Sequence, residues 1–435
     1  MSATTAAHPS TTTPPTGGRQ GRVPGWLAAC GMLFAVGWGG NEFTPLLTMY
    51  RQESGLSSQA VTILLGAYVV GIVPALLVGG PLSDRFGRRP LMLPAPVLCV
   101  GGSALLAAGG LLPGAGGTVL LLAGRVLSGL ALGLVMAVGT SWVKELSQPP
   151  FDDVDPGAGA RRAALSLTLG FCLGAAVAAA LAQFGPFRTV LPYAVNILIT
   201  ATVSLCMVRA PETRAPQTDP RPLRQDLRIP SATHRRFLLV VVPMAPWVFG
   251  TAASAYAILA TLLAPKVPGF EVGFAGLLCL VGLGCGLGSQ QVAKRLDTPH
   301  SSRAVVVALA CTALGMLLAV WAAITLTVLA AIIGAAVLGT AYGLLLVSGL
   351  QEVQRIAGPD GLAGLTAVFY SLTYVGFFVP AVLAALARWF SYPVMFAAGA
   401  VLALVSLGIV ALCWRRHLPL ATVVEAAAAR AVQPD

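Results

Sequence analysis

The sequence predicts an all-α membrane protein of twelve transmembrane helices in two pseudo-symmetric six-helix halves. Three observations predict it. Only 10% of the 435 residues are charged, against about 25% in ordinary soluble domains, and mean hydropathy is +0.82. Twelve apolar runs reach the roughly 20 residues that a bilayer core of about 30 Å requires. A proline- and arginine-rich stretch, 209–236, divides them six and six.

The runs fall at 26–48, 60–81, 91–112, 118–142, 163–184 and 189–208, then at 237–263, 270–290, 304–322, 326–350, 362–386 and 393–414. They are called spans 1 to 12. Each is continuously apolar, without the alternation of a barrel strand, so helices are expected. Between spans 9 and 10 almost nothing polar marks the turn; the break is placed near Ala322–Thr327. The expected organisation is a cytoplasmic tail at 1–25, a first half at 26–208, a linker at 209–236, a second half at 237–414 and a second tail at 415–435. Residues 1–22 are rich in Ser, Thr, Pro and Gly, the composition of a disordered tail without a cleavable signal peptide.

The net charge of +11 is topological. With the N-terminus inside, inner segments carry 22 Lys and Arg and outer loops four (Arg51, Arg188, Lys266, Arg388), while Arg125 lies within a span. That asymmetry places both termini in the cytoplasm, and nucleic acid is not an expected partner. The eight cysteines fall in or beside apolar runs without metal-ligand spacing, and the four histidines fall in tails or loops, so neither a metal nor a cofactor is expected. Trp26, Trp142, Trp321, Trp389 and Trp414 sit near span ends, as an interfacial belt requires. No nucleophile–base set lies in the spans and no further domain exists to relay a signal, which disfavours a membrane enzyme or a receptor.

The two halves share a register. Gly129, Gly133 and Gly139 in span 4 recur 210 residues later as Gly339, Gly343 and Gly349 in span 10. The same offset carries Gly40 onto Gly250 and Arg85-Phe86 onto Arg295-Leu296. Three coincidences on one offset predict a parallel duplication about an axis along the membrane normal. What the fold needs should recur, whereas what the mechanism needs can appear once.

Only Glu42 in span 1 and Arg125 in span 4 are ionisable groups well inside a predicted span, and the offset places them on Ala252 and Ala335. The fold therefore does not require these charges, and each costs about 2.5–3.5 kcal/mol at mid-membrane on the insertion scale. At 1.5 Å per residue both lie roughly 9–10 Å below the outer surface, so they are expected to face a shared cavity and compensate one another. Pro45, one turn beyond Asn41, removes a helix hydrogen bond and loosens the backbone there.

Between spans 2 and 3 stands Gly80-x-x-x-Asp84-Arg85-x-Gly87-Arg88-Arg89, expected as a tight hydrophilic turn. In that setting the motif resembles the signature loop of the major facilitator superfamily of transporters, and the resemblance covers 26–414. It implies that Asp84, with Arg85 and Arg88 as counter-charges and Arg89 beside them, closes the cytoplasmic side against span 11, Gly80 and Gly87 permitting close approach. The second-half copy carries Lys294 in place of the acid. Leu122–Gly129 is similar to the family's span-4 motif, whose arginine is associated with proton coupling; Ser128 stands where glutamine is common. Gly170-x-x-x-Gly174 is similar to the span-5 signature of drug:proton antiporters, with Ala175 in place of its proline.

The expected function is proton-coupled efflux of small amphipathic organic compounds by alternating access, with Glu42 as proton carrier and Arg125 as its tuning partner. A symporting importer or facilitative uniporter on the same fold is the alternative. Asn41, Tyr68, Phe171, Trp247, Tyr256, Tyr342, Tyr370 and Tyr374 are the candidate cavity residues. The expected partners are a small-molecule substrate, protons and the lipid bilayer, for a monomer in a bacterial plasma membrane; Arg outnumbers Lys 24 to 3, as in GC-rich genomes.

Overall fold

The computed structural model describes residues 23–53, 56–154, 157–215, 229–298, 301–357 and 362–414. The expected tails at 1–22 and 415–435, and 216–228 of the expected linker, lie outside them. Among the described residues the protein is helical without strands, and all twelve expected spans are helices. Span 1 is two pieces, Gly25–Asn41 and Phe43–Glu53, which meet at Glu42. Pro45 has no N–H for the Asn41 carbonyl, so the ladder breaks one residue past Asn41. The backbone at Glu42 remains right-handed helical, so the second piece continues the first.

The later spans are Ser58–Phe86, Arg88–Leu111, Gly114–Leu146, Ala158–Phe184 and Leu191–Met207 in the first half. In the second they are Phe237–Lys266, Glu271–Leu296, Arg303–Thr325, Val328–Ile356, Leu362–Leu386 and Tyr392–Cys413. Spans 9 and 10 turn at Leu326, in the left-handed region (φ 49°). Several helices run past the apolar stretch that announced them. Span 2 ends at Phe86 and span 8 at Leu296, span 4 at Leu146 and span 10 at Ile356, each pair again 210 residues apart. Polar end turns carry no hydrophobic signal, but they keep their helical hydrogen bonds.

Packing repeats as the sequence does. Span 1 packs on span 5, span 2 on span 4, span 3 on spans 4 and 6; span 7 packs on span 11, span 8 on span 10, span 9 on spans 10 and 12. Gly129 and Gly133 of span 4 and Gly339 and Gly343 of span 10 lie at equivalent crossings, with spans 2 and 8. A Cβ on Gly129 would sit 2.1 Å from the Tyr68 carbonyl oxygen, and one on Gly339 2.0 Å from that of Gly282. Only glycine lets backbones approach so closely. The halves meet where span 5 lies along span 8 and span 2 along span 11. At the end of the first crossing the Gln183 side chain donates to the Gly269 carbonyl and accepts from the Gly273 N–H, tying one half to the other. Exposed Ile63, Val97, Leu198, Leu205, Val401 and Leu402 belong to the surface that hydrocarbon covers. Trp142, expected in the interfacial belt, is instead fully buried and donates to the Pro211 carbonyl.

Sidedness is testable. In a background without the eight native cysteines, Ser57→Cys at the exposed N-cap of span 2 is expected to react with an impermeant thiol reagent added outside. Gln148→Cys, exposed at the other face, is expected to react only after the membrane is opened. The reverse pattern would invert the topology. Ser302 is unsuited to the purpose, being buried under Arg236.

Candidate functional site

Between the halves lies a space of about 20 Å³, room for about one water. It is lined by Gly40 and Asn41 of span 1, Tyr68 of span 2, Phe171 of span 5, Phe249 and Tyr256 of span 7, Leu283, Tyr342, Tyr374 and Phe377. Six of the eight candidate cavity residues are among them. The other two are elsewhere: Trp247 donates to Ser406 of span 12, and Tyr370 packs its ring on Phe369. Sequence alone did not single out Phe249 and Phe377, whose rings stack 4.8 Å apart while Phe249 stacks on Tyr374 at 4.5 Å. Tyr68 stands edge-on to Tyr374 and Phe377, joining spans 2 and 11. The Tyr68 hydroxyl is buried without a hydrogen-bond partner. No formally charged side chain lines the space.

Glu42 and Arg125 are both fully enclosed in the first half, but neither lines this space and they form no ion pair. The expectation of two charges facing a shared cavity is corrected accordingly. Arg125 donates through Nε to the Leu64 carbonyl (3.3 Å) and through a terminal nitrogen to that of Gly40 (3.4 Å). Its guanidinium lies 4.1 Å from the Tyr68 ring centre and 4.7 Å from that of Phe43. Backbone oxygens and aromatic faces thus compensate it. Glu42 turns toward span 3, where Ser103 donates to Oε1 (3.3 Å), while Oε2 is buried without a partner. Glu42 projects differently from Asn41 because successive residues on a helix point about 100° apart, and Asn41 donates to the Phe171 carbonyl at the cavity.

The expected turn between spans 2 and 3 is mostly helix. Gly80, Asp84 and Arg85 occupy the end of span 2, and the chain turns at Gly87 alone (φ 98°), before the short helix Arg88–Met92. A Cβ on Gly80 would meet nothing, so that glycine mediates no close approach here, whereas one on Gly87 would lie 2.7 Å from a Glu212 oxygen. Asp84 pairs with Arg88 (2.9 Å) and Arg214 (3.2 Å), and Arg88 with Glu145 at the end of span 4 (2.8 Å). Glu212 accepts from the backbone N–H groups of Arg88 and Arg89, both at 2.9 Å. Asp84, Arg88 and Arg89 therefore engage their own half and the start of the linker, where contact with span 11 was expected. Glu145 and Glu212 were not singled out because they lie far along the chain from the motif, just past the apolar runs 118–142 and 189–208. Burial works against charge on Glu212, but N–H groups of Arg214, Arg89, Arg88 and Thr213 hold its carboxyl below the usual range. A lowered value means that this clamp is present at neutral pH and is lost only as pH falls through it.

The second half holds a separate cluster. Arg236 at the start of span 7 pairs with Glu352 near the end of span 10 (2.7 Å), both fully buried, and Arg355 joins Glu352 (2.9 Å) to Asp297. Asp84→Asn is expected to remain folded, since the Asp84 side chain is partly exposed and Arg88 keeps Glu145 as its partner. Its turnover should fall about tenfold, or about 1.4 kcal/mol in the barrier, measured as initial flux in proteoliposomes. Unchanged flux would reduce the motif to a topological signal.

Twelve helices in two repeated halves around a shared space define a membrane transporter. The sequence profile of the Major Facilitator Superfamily matches residues 27–380, and the chain belongs to that superfamily. Over 222 residues it is 28% identical to a "Probable nitrate/nitrite transporter NarK2" of Mycobacterium tuberculosis, a match covering 47% of this chain and 50% of that one. The chain spans about half the length of these curated relatives. Among solved structures, the peptide transporter POT with bound sulfate superposes at a TM-score of 0.71 and 16% identity, over 93% of this chain and 97% of that one. A mutant of the nucleoside transporter NupG gives 0.69 and 12%, over 88% and 98%. These likenesses bear on the fold.

Proposed function

We propose that the protein is a proton-coupled secondary transporter of a small amphipathic organic solute, which binds among the aromatic rings between the halves while Glu42 carries the proton. The observation behind this reading is the pairing of an uncharged, aromatic space with a buried, half-unpartnered carboxylate one residue beyond Asn41. The space holds little more than a water, so loading a solute requires the halves to part, which is alternating access. Direction is carried by no side chain in the site. The relatives named above are transporters of nitrate and nitrite, peptides or nucleosides by name, and none is by name a drug exporter.

A second reading follows from the mycobacterial relative, namely transport of nitrate or nitrite. An anion would require a cation in the space, and Arg125 is held outside it by two carbonyls and two rings. Proteoliposomes carrying an internal pH dye decide between them. Ethidium, a planar amphipathic cation, is expected to move protons on addition, and nitrate is not. Proton movement with nitrate alone would replace the first reading by the second. The sign of the proton signal gives exchange or symport, and a bacterial plasma membrane is the proposed setting.

A further inference from the structure

Glu42 is one end of a buried chain of polar groups that avoids the central space. Ser103 of span 3 lies 3.3 Å from Glu42 Oε1 and 2.9 Å from Asn196 Oδ1 of span 6. Asn196 Oδ1 also accepts from the Cys99 thiol (3.4 Å), which lies 3.6 Å from the Thr200 hydroxyl. The Asn196 amide donates to the Ala35 carbonyl of span 1 at 2.9 Å. Ser103 is 1% exposed, and Asn196 and Thr200 are 0% exposed. Such groups are costly in a membrane interior unless paired, and the repeat offset carries Ser103 onto Ala313 and Asn196 onto Ser406, so the second half lacks this arrangement.

The Ser103 hydroxyl has one proton and two acceptors. We propose that Ser103 and Asn196 are positioning residues that read the charge on Glu42 and transmit it to spans 3 and 6; this rests on Glu42 being the proton carrier. With Glu42 ionised, the hydroxyl donates to the charged Oε1, because a charge-assisted bond is about twice as strong as a neutral one. A proton arriving from water forms an O–H bond on Oε2, the oxygen without a partner. Oε1 becomes a neutral carbonyl oxygen and a weaker acceptor, and the Ser103 hydroxyl rotates to Asn196. One proton is gained and one hydroxyl turns. Loading thereby moves one bond of span 3 from Glu42 of span 1 to Asn196 of span 6, beside the standing bonds of Asn196 with Cys99 and Ala35, and release moves it back. The groups facing Glu42 from its neighbours are Arg125 of span 4, Cys99 of span 3, Tyr193 of span 6 and, within span 1, Trp38. None has a rotatable proton shared between Glu42 and a second span.

Infrared difference spectroscopy of the full chain in lipid, between acid and alkaline pH, tests this without a solute. Wild type is expected to show a protonated-carboxyl C=O band that Glu42→Gln removes; its absence from wild type would overturn the reading of Glu42 itself. In Asn196→Leu the hydroxyl keeps only Oε1 as acceptor, so the band is expected at lower frequency, and Ser103→Ala in that background should abolish the shift. A band that Asn196→Leu leaves in place, or a shift that survives Ser103→Ala, overturns the proposal while Glu42 remains the carrier. Ser103→Ala alone is read through the ionised form, whose carboxylate stretch should move on losing its hydroxyl partner. An unmoved stretch overturns the proposal even if Asn196→Leu does not fold.

Discussion

Glu42→Gln is expected to abolish proton-driven transport, with gradient-driven flux falling on the order of 100-fold, the lower range for loss of a proton-transferring group. Glutamine keeps the shape and loses the titration, so solute counterflow without a pH gradient should persist. The two assays on one preparation separate coupling from binding. Gradient-driven flux equal to wild type would remove Glu42 from the mechanism. Arg125→Lys is expected to be impaired in both assays, because an ammonium cannot span the Leu64 and Gly40 carbonyls while lying between the Phe43 and Tyr68 rings. Its defect should therefore be one of packing around span 1.

The largest effect on stability is expected at Glu352. Removing one partner of a buried pair leaves an uncompensated charge and costs about 3–5 kcal/mol. Arg236 and Glu352 are 0% and 1% exposed, so Glu352→Ala should lower the unfolding free energy by that amount. Replacing both, as Arg236→Met with Glu352→Leu, should recover most of the loss, because two apolar groups need no compensation. Denaturant unfolding in detergent measures both. A Glu352→Ala protein within 1 kcal/mol of wild type would show that water reaches the pair.

Much of this architecture was legible beforehand because hydropathy is a local quantity. Each span announced itself by its own residues, and the glycine register announced the duplication; which helices those glycines pack against was decided by folding. The break in span 1 was legible too, since Pro45 removes a donor whatever surrounds it. The helix ends were less so. Asp84, Glu145 and Glu352 lie in polar end turns that hydropathy assigns to loops, and backbone hydrogen bonds carry the helices through them.

The sequence by itself determined the class of molecule, its twelve spans and its duplication. The tertiary structure alone decided where the charges inside its spans point. Glu42 and Arg125 are expected at one depth, yet one faces Ser103 and the other faces carbonyls and rings, because rotation about a helix axis is set by neighbouring helices and not by position along it. The partners of Asp84 were likewise decided by folding. Glu145 and Glu212 are distant in the chain and adjacent in space, and a charge binds the opposite charge that packing brings nearest.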